Sequence, residues 1–165
     1  MTTGQAPHKR IDPEPGAEVR LELTRLAAEG SALSDGVEAS ALEVERDEPS
    51  YTYRTLELLA ESETGADLYF LLGADMAATL PEWKSPERVV ELARLGVVPR
   101  SGVGIEAVHS ALAELGAGDR AEMIEMPLCG VSSTMIRERA AAEQPLRHLV
   151  PDGVGELIEE RGLYR

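Results

Sequence analysis

Leu68-Tyr69-Phe70-Leu71-Leu72-Gly73-Ala74-Asp75-Met76 decides the fold. A short unbroken apolar run that stops at glycine has the form of a strand buried in a parallel sheet, because a strand wetted on one face alternates. Toward the C-terminus, Leu95-Gly96-Val97-Val98 repeats the form, and Glu122-Met123-Ile124-Glu125-Met126 supplies a last strand. The segments between have helical spacing. Ala74 to Leu80 gives a short helix, and Ser85 caps a second, with Pro86 at its first position and Val89, Val90 and Ala93 on its inner face. Ile105, Val108, Leu112 and Leu115 mark a third. Strands alternating with helices imply an α/β protein with a doubly wound, mostly parallel open sheet.

The flanking sequence extends this pattern. Tyr51 to Glu63 reads as a helix with Leu56, Leu59 and Ala60 facing inward. Before it, Ala39 to Glu45 alternates in its second half and predicts a strand, broken at Arg46 to Ser50 with Pro49 as punctuation. Gly16 to Glu29 carries a stripe of Val19, Leu23, Leu26 and Ala27 and stops at Gly30. Residues 1–15 read as a loop. After the last strand, Ser132 or Ser133 caps a helix reaching about Ala142. Val150, Val154, Leu157 and Ile158 line a C-terminal helix from Pro151 to near Gly162.

The 165 residues suffice for a single domain, and a chain this long buries roughly 70% of its unfolded surface without help from disulfide or metal. Thirty acids against 16 bases give a net charge of −14. This excludes a nonspecific grip on nucleic acid, which draws its affinity from basic surface. It leaves room for an anionic small ligand at a local cluster of bases. Cys129 is the single cysteine, so no internal disulfide or thiolate metal cage is expected. No apolar run approaches 18 residues and no leader pattern follows Met1, so the expected location is the cytoplasm, with no membrane partner.

Parallel sheets bind ligands beyond the carboxyl ends of their strands, which directs attention to the loops at 73–76, 99–101 and 130–134. Gly73 lets a ligand approach the backbone, and Asp75 suits either ribose hydroxyls or a plain helix N-cap. Pro99-Arg100 sets a cation at the same edge. Gly130-Val131-Ser132-Ser133-Thr134-Met135-Ile136-Arg137 opens a helix with hydroxyl residues and an arginine one turn in, which reads either as a phosphate site or as an ordinary cap with a solvated arginine. Trp83 sits on a loop, where an aromatic stacks on a flat ring or packs against the core. His8-Lys9-Arg10 is a compact basic cluster suited to polyphosphate or to solvent. His109 faces water, His148 has no assigned role, and Cys129 has no histidine close in sequence to activate it.

Taken in order, these segments look related. Asp47-Glu48-Pro49-Ser50-Tyr51-Thr52-Tyr53-Arg54-Thr55-Leu56, Gly73-Ala74-Asp75-Met76 with Leu80-Pro81-Glu82-Trp83, Val131 to Arg137, Leu149-Val150-Pro151-Asp152 and Arg161-Gly162-Leu163-Tyr164 follow one another as in the bacterial nicotinate-nucleotide adenylyltransferases, which the chain resembles from about Gly4 to Tyr164. Gln5-Ala6-Pro7-His8-Lys9 is similar to that family's Pro-His-Lys loop.

The resemblance implies a Rossmann-like nucleotidyltransferase fold and transfer of the adenylyl group of ATP to nicotinate mononucleotide. It implies Mg²⁺ accompanying ATP. By it, His8, Lys9, Ser132, Ser133 and Arg137 hold ATP phosphates, Gly73 and Asp75 line the nucleotide cleft, and Arg100 lies near adenosine and phosphate. Trp83 stacks on the pyridine ring, and the backbone around Thr52 and Lys84 meets the nicotinate carboxylate. Lys84 departs from the family's frequent Trp-Tyr pairing. The family's Gly-x-Phe-Asp/Asn-Pro-x-His-x-Gly-His loop has no counterpart among the 165 residues. By that resemblance the family's first strand, first helix and most of its second strand are missing, and little or no activity is expected of the chain alone. Two other readings stay open: a non-catalytic nucleotide-binding α/β protein, and an interaction module retaining motif relics. A homo-oligomer is also left open.

Overall fold

The computed structural model describes residues 2, 15–31, 34–100, 102, 104–127 and 130–165. They divide into two compact units, Tyr51–Leu128 and the combination of Met1–Ser50 with Cys129–Arg165.

The Tyr51–Leu128 unit is built on three parallel strands, β1 (Tyr69–Gly73), β2 (Arg94–Val98) and β3 (Ala121–Met123), in the order β1-β2-β3. Helices α2 (Thr52–Ser62), α3 (Ala74–Ala78), α4 (Pro86–Leu92) and α5 (Ile105–Glu114) accompany them. The register places Phe70 beside Leu95 and Leu72 beside Val97, and on the other side Leu95 beside Ala121 and Val97 beside Met123. One sheet face therefore carries Phe70, Leu72, Leu95, Val97, Ala121 and Met123. It packs with Leu56, Ala77, Val89, Val90, Val108 and Leu112 from the helices into one core.

The expected α/β class and parallel open sheet are both present. Five details differ from the expectation. The run Leu68–Leu72 is not buried on both faces: Tyr69 is 54% and Leu71 62% exposed, because the helices cover the face holding Phe70 and Leu72. The last strand spans Ala121–Met123 rather than 122–126, extended by one bond from the Ile124 N–H to the Val97 carbonyl at 2.9 Å, and Met126 is exposed. Ile105, expected to face inward, is exposed, while Val108 and Leu112 are buried as expected. The helix after β1 stops at Ala78, where a 3-10 turn at Leu80–Glu82 accommodates Pro81. Ser85 stands at the N-cap of α4, but in the left-handed conformation with φ 51°, and its hydroxyl makes no capping bond.

The other unit contains α1 (Ala17–Glu29), α6 (Ser133–Ala141) and α7 (Asp152–Glu160). Its core joins Ile136, Ala140, Leu146, Val154 and Ile158 to Leu23, Leu26 and Ala27. The expected stripe is thus mostly right, but the buried residue of α1 is Leu21, outside that stripe. Gly30 ends α1 where an added Cβ would come within 2.8 Å of the Pro151 Cβ, so glycine lets that end meet the start of α7. Arg161 and Glu22 form a two-pronged pair at 2.9 Å, holding α7 to α1. The strand expected at 39–45 is absent. Val44 and Glu45 donate instead to the Ala41 carbonyl, at 2.8 and 3.0 Å, because two alternating apolar residues bury too little to outcompete a local turn.

Leu95 and Leu71 lie on opposite faces of adjacent strands, and only Leu95 is fully buried. Leu95→Ala should cost about 2–5 kcal/mol in urea unfolding. Leu71→Ala should stay within about 0.5 kcal/mol. Equal losses would show that both faces are packed in solution.

Candidate active site

The carboxyl edge of the sheet gathers the first group of residues. β1 ends at Gly73 and β2 at Val98, which are register partners, so the residues following each strand emerge side by side. Asp75 is the second residue of α3, past an N-cap formed by Gly73, and its side chain makes no capping bond. The N-cap reading of Asp75 is therefore corrected. One carboxylate oxygen, Oδ2, lies 3.8 Å from Arg100 Nε. The other, Oδ1, is buried and has no hydrogen-bond partner among the described residues. A Cβ on Gly73 would stand 2.5 Å from Oδ1 and 3.7 Å from Arg100 Cδ, so the absence of a side chain there is what lets the pair lie against the strand end.

A second group surrounds Trp83, in the loop between the 3-10 turn and α4. Trp83 is half-buried. Its indole N–H donates to Thr79 Oγ1 at 3.3 Å, and its ring meets Phe70 edge to face with centroids 6.2 Å apart. Packing and loop exposure, weighed against each other in the sequence, are both present. Lys84 follows on the exposed side. Thr52 is the first residue of α2, half-buried, flanked by Tyr51 and Tyr53, whose rings stack at 6.1 Å. Glu57 of α2 accepts from Arg54 of the same helix at 3.1 Å and from Arg88 of α4 at 3.2 Å, and the second pair ties the two helices that follow these loops. These two guanidiniums hold the Glu57 carboxyl below its usual range.

The third group belongs to the other unit. Ser132 is the N-cap of α6 and its hydroxyl accepts from the Met135 N–H at 3.1 Å. The Ile136 N–H bonds to the Ser132 carbonyl at 3.0 Å, and Ser133 and Thr134 stand in the first turn, where N–H groups have no partner within the helix. Arg137 Nη2 donates to Thr134 Oγ1 at 3.1 Å, keeping the guanidinium on the side of that turn. His8 and Lys9 lie outside the described residues, as do Arg10, residue 101 and Cys129. His109 and His148 are exposed.

Thus 73–76 and 99–100 converge as expected, while 130–134 is a feature of the second unit. Sequence reasoning missed Thr79 and Phe70. The four-residue spacing from Thr79 to Trp83 was readable, but only the fold shows Phe70 meeting the ring. Among the described residues no three His, Cys, Asp or Glu side chains gather to hold a metal ion, and no helix is long and apolar enough to cross a membrane.

A parallel sheet with residues presented at its carboxyl edge, and a capped helix start with a nearby arginine, are the parts of a nucleotide-handling α/β protein. Residues 1–139 match the family model described as cytidylyltransferase-like, which sets the class. A protein from Roseiflexus sp. (strain RS-1) named as a probable nicotinate-nucleotide adenylyltransferase is 41% identical over 150 residues, covering 90% of this chain and 72% of that protein. One of the same name from Mycolicibacterium gilvum is 37% identical over 167 residues, covering 100% and 80%. The chain belongs to the nicotinate-nucleotide adenylyltransferase family. The fold is also that of the Plasmodium falciparum nicotinic acid mononucleotide adenylyltransferase solved with NaAD, at a TM-score of 0.77 and 18% identity, over 98% of this chain and 78% of that one.

The Ser132 cap can be tested by itself. Ser132→Ala removes the acceptor for the Met135 N–H and should destabilise α6 by about 0.5–2 kcal/mol, whereas Ser132→Asp should restore most of it. Identical urea midpoints for the wild type and Ser132→Ala would mean the bond does not form in solution.

Proposed function

We propose that this protein transfers the adenylyl group of ATP to nicotinate mononucleotide, giving nicotinate adenine dinucleotide and pyrophosphate. The observation that carries this reading is the 37% identity to a protein of that name over the whole of the chain. In this reading both units form one nucleotidyltransferase domain. A phosphate oxygen of the mononucleotide attacks the α-phosphorus of ATP, and the bond from that phosphorus to the bridging oxygen breaks, so pyrophosphate leaves with the electron pair. Such transfers demand positioning and charge stabilisation more than covalent participation.

The roles follow from the chemistry of each group. Ser132, Ser133 and Arg137 hold ATP phosphates: the start of α6 offers N–H groups and the positive end of the helix dipole, and Arg137 adds a fixed cation. His8 and Lys9 add charge to the same phosphates. Gly73 and Asp75 line the nucleotide cleft, with Arg100 near adenosine and phosphate. Trp83 stacks on the pyridine ring, and backbone N–H groups around Thr52 and Lys84 receive the nicotinate carboxylate. Carried in on the ATP phosphates, Mg²⁺ would offset their negative charge, and its site would need no more than one or two protein carboxylates.

The test is pyrophosphate release from ATP and nicotinate mononucleotide, with the dinucleotide identified by mass, alongside calorimetric binding of each substrate. Neither turnover nor binding of the mononucleotide would reject the reading. Trp83→Ala should weaken mononucleotide binding by about 5- to 100-fold, the worth of one ring stacked on an aromatic side chain. Arg137→Ala should weaken ATP binding or kcat/KM by about 10- to 150-fold, the worth of a charge-assisted hydrogen bond. Unchanged affinity in either variant removes that residue from the site.

A further inference from the structure

Trp83 is the single tryptophan, and Phe70 and Thr79 both contact its indole. Phe70 meets the ring edge to face at an interplanar angle of 71°. Thr79 Oγ1 accepts the indole N–H at 3.3 Å. These contacts differ in what they select. The outer torsion of a tryptophan side chain is broad, with two roughly opposed orientations. An aromatic contact is compatible with either. A hydrogen bond to Nε1 is not, because rotating the ring about that torsion carries the N–H to the other side.

The Thr79 hydroxyl is itself oriented. It donates to the Met76 carbonyl at 3.1 Å, which commits its proton and turns a lone pair toward the indole. Met76 directly follows Asp75 in α3, so the chain of bonds runs from the helix at the sheet edge to the loop before α4. The Met76 carbonyl also receives the Thr79 backbone N–H, at 3.2 Å. Removing the hydroxyl therefore leaves that carbonyl bonded, and the loss falls on the indole.

We propose that Thr79 is a positioning residue that fixes the orientation of the Trp83 indole in which its open face receives the pyridine ring of the mononucleotide. This rests on the stacking role given to Trp83 above. Without the bond the ring samples both orientations, and the mononucleotide must select one of them, so affinity falls while ATP binding is untouched.

The experiment compares wild type, Thr79→Val and Thr79→Ser. A single tryptophan gives one indole N–H cross-peak in a ¹⁵N correlation spectrum, so the bond is read without ligand or turnover. In Thr79→Val, which keeps the shape and loses the hydroxyl, that peak should move upfield and exchange faster with solvent. Affinity for nicotinate mononucleotide should fall, by about twofold where the two orientations become equally populated and by at most about 10-fold, the full worth of one neutral hydrogen bond, with ATP affinity unchanged. Thr79→Ser, which keeps the hydroxyl, should restore both the peak and the affinity. Thr79→Ala serves in place of valine if that variant does not fold. An unmoved peak in Thr79→Val overturns the proposal, because the bond is then absent. A moved peak with unchanged mononucleotide affinity also overturns it, since the bond is then only structural. If the wild type itself does not bind the mononucleotide, the stacking role fails and this proposal falls with it. That outcome is separate from a wild type that binds and a variant that binds equally well.

Discussion

The pairing of β1 with β2, five register pairs from Tyr69 with Arg94 to Gly73 with Val98, is the constraint on which the rest of the Tyr51–Leu128 unit depends. Parallel strands cannot be joined by a tight turn, so the chain must leave the end of β1, cross and return. Here the crossing contains α3, the Trp83 loop and α4. Each residue offered to a ligand in this unit stands at the end of a paired strand, within the crossing or at a helix start. Because Gly73 and Val98 are partners, the chain segments carrying Asp75 and Arg100 emerge next to each other without any attraction between the two. Their separation of 3.8 Å, with both side chains partly wetted, is a weak pairing that the sheet imposes more than the charges do.

The chain is acidic overall, at −14, and yet the proposed reaction handles only anions. The cations must then be local and their own neighbours few. Arg137 is restrained by a neutral hydroxyl, Thr134 Oγ1, which holds the guanidinium without neutralising it. Arg88 is the contrasting case. It is bound to both Glu57 and Glu91, which raises its pKa, and its charge is spent on joining α2 to α4. The same residue type is a structural tie where carboxylates surround it, and in the proposed reaction it is a ligand contact where a hydroxyl holds it instead.

How much of this was legible in the sequence depends on the range of the interaction involved. Helices from Thr52, Pro86, Ile105, Ser133 and Asp152 were readable because spacing, proline and serine act within one or two turns. The strand expected at Ala39–Glu45 failed because alternation over so short a stretch has no meaning until a partner strand exists, and among the described residues none does. The apolar run at Leu68–Leu72 was read correctly as a strand and incorrectly as buried on both sides, since which face the helices cover is settled by the crossings rather than by the strand. Ser85 takes the N-cap position but not its usual extended backbone: its φ is left-handed and its hydroxyl makes no capping bond. Within the site, residue types at strand ends were readable. The Phe70 contact with Trp83 was not, because it joins residues whose distance is set by the fold.

The Asp75 carboxylate sorts the chemistry of this edge. An acceptor oxygen buried without a donor is unfavourable, and among the described residues Oδ1 has none. Phosphate groups cannot relieve it, because they bring acceptors and negative charge. Sugar hydroxyls suit a carboxylate better, since each brings a donor and no charge. Arg100, more exposed and 3.8 Å from the other oxygen, has the opposite preference. In the proposed reaction the nucleotide carries both kinds of group a few bonds apart. In the reading proposed above, a carboxylate set beside the strand end by Gly73, with Arg100 next to its other oxygen, suits ribose hydroxyls at Asp75 and phosphate at Arg100.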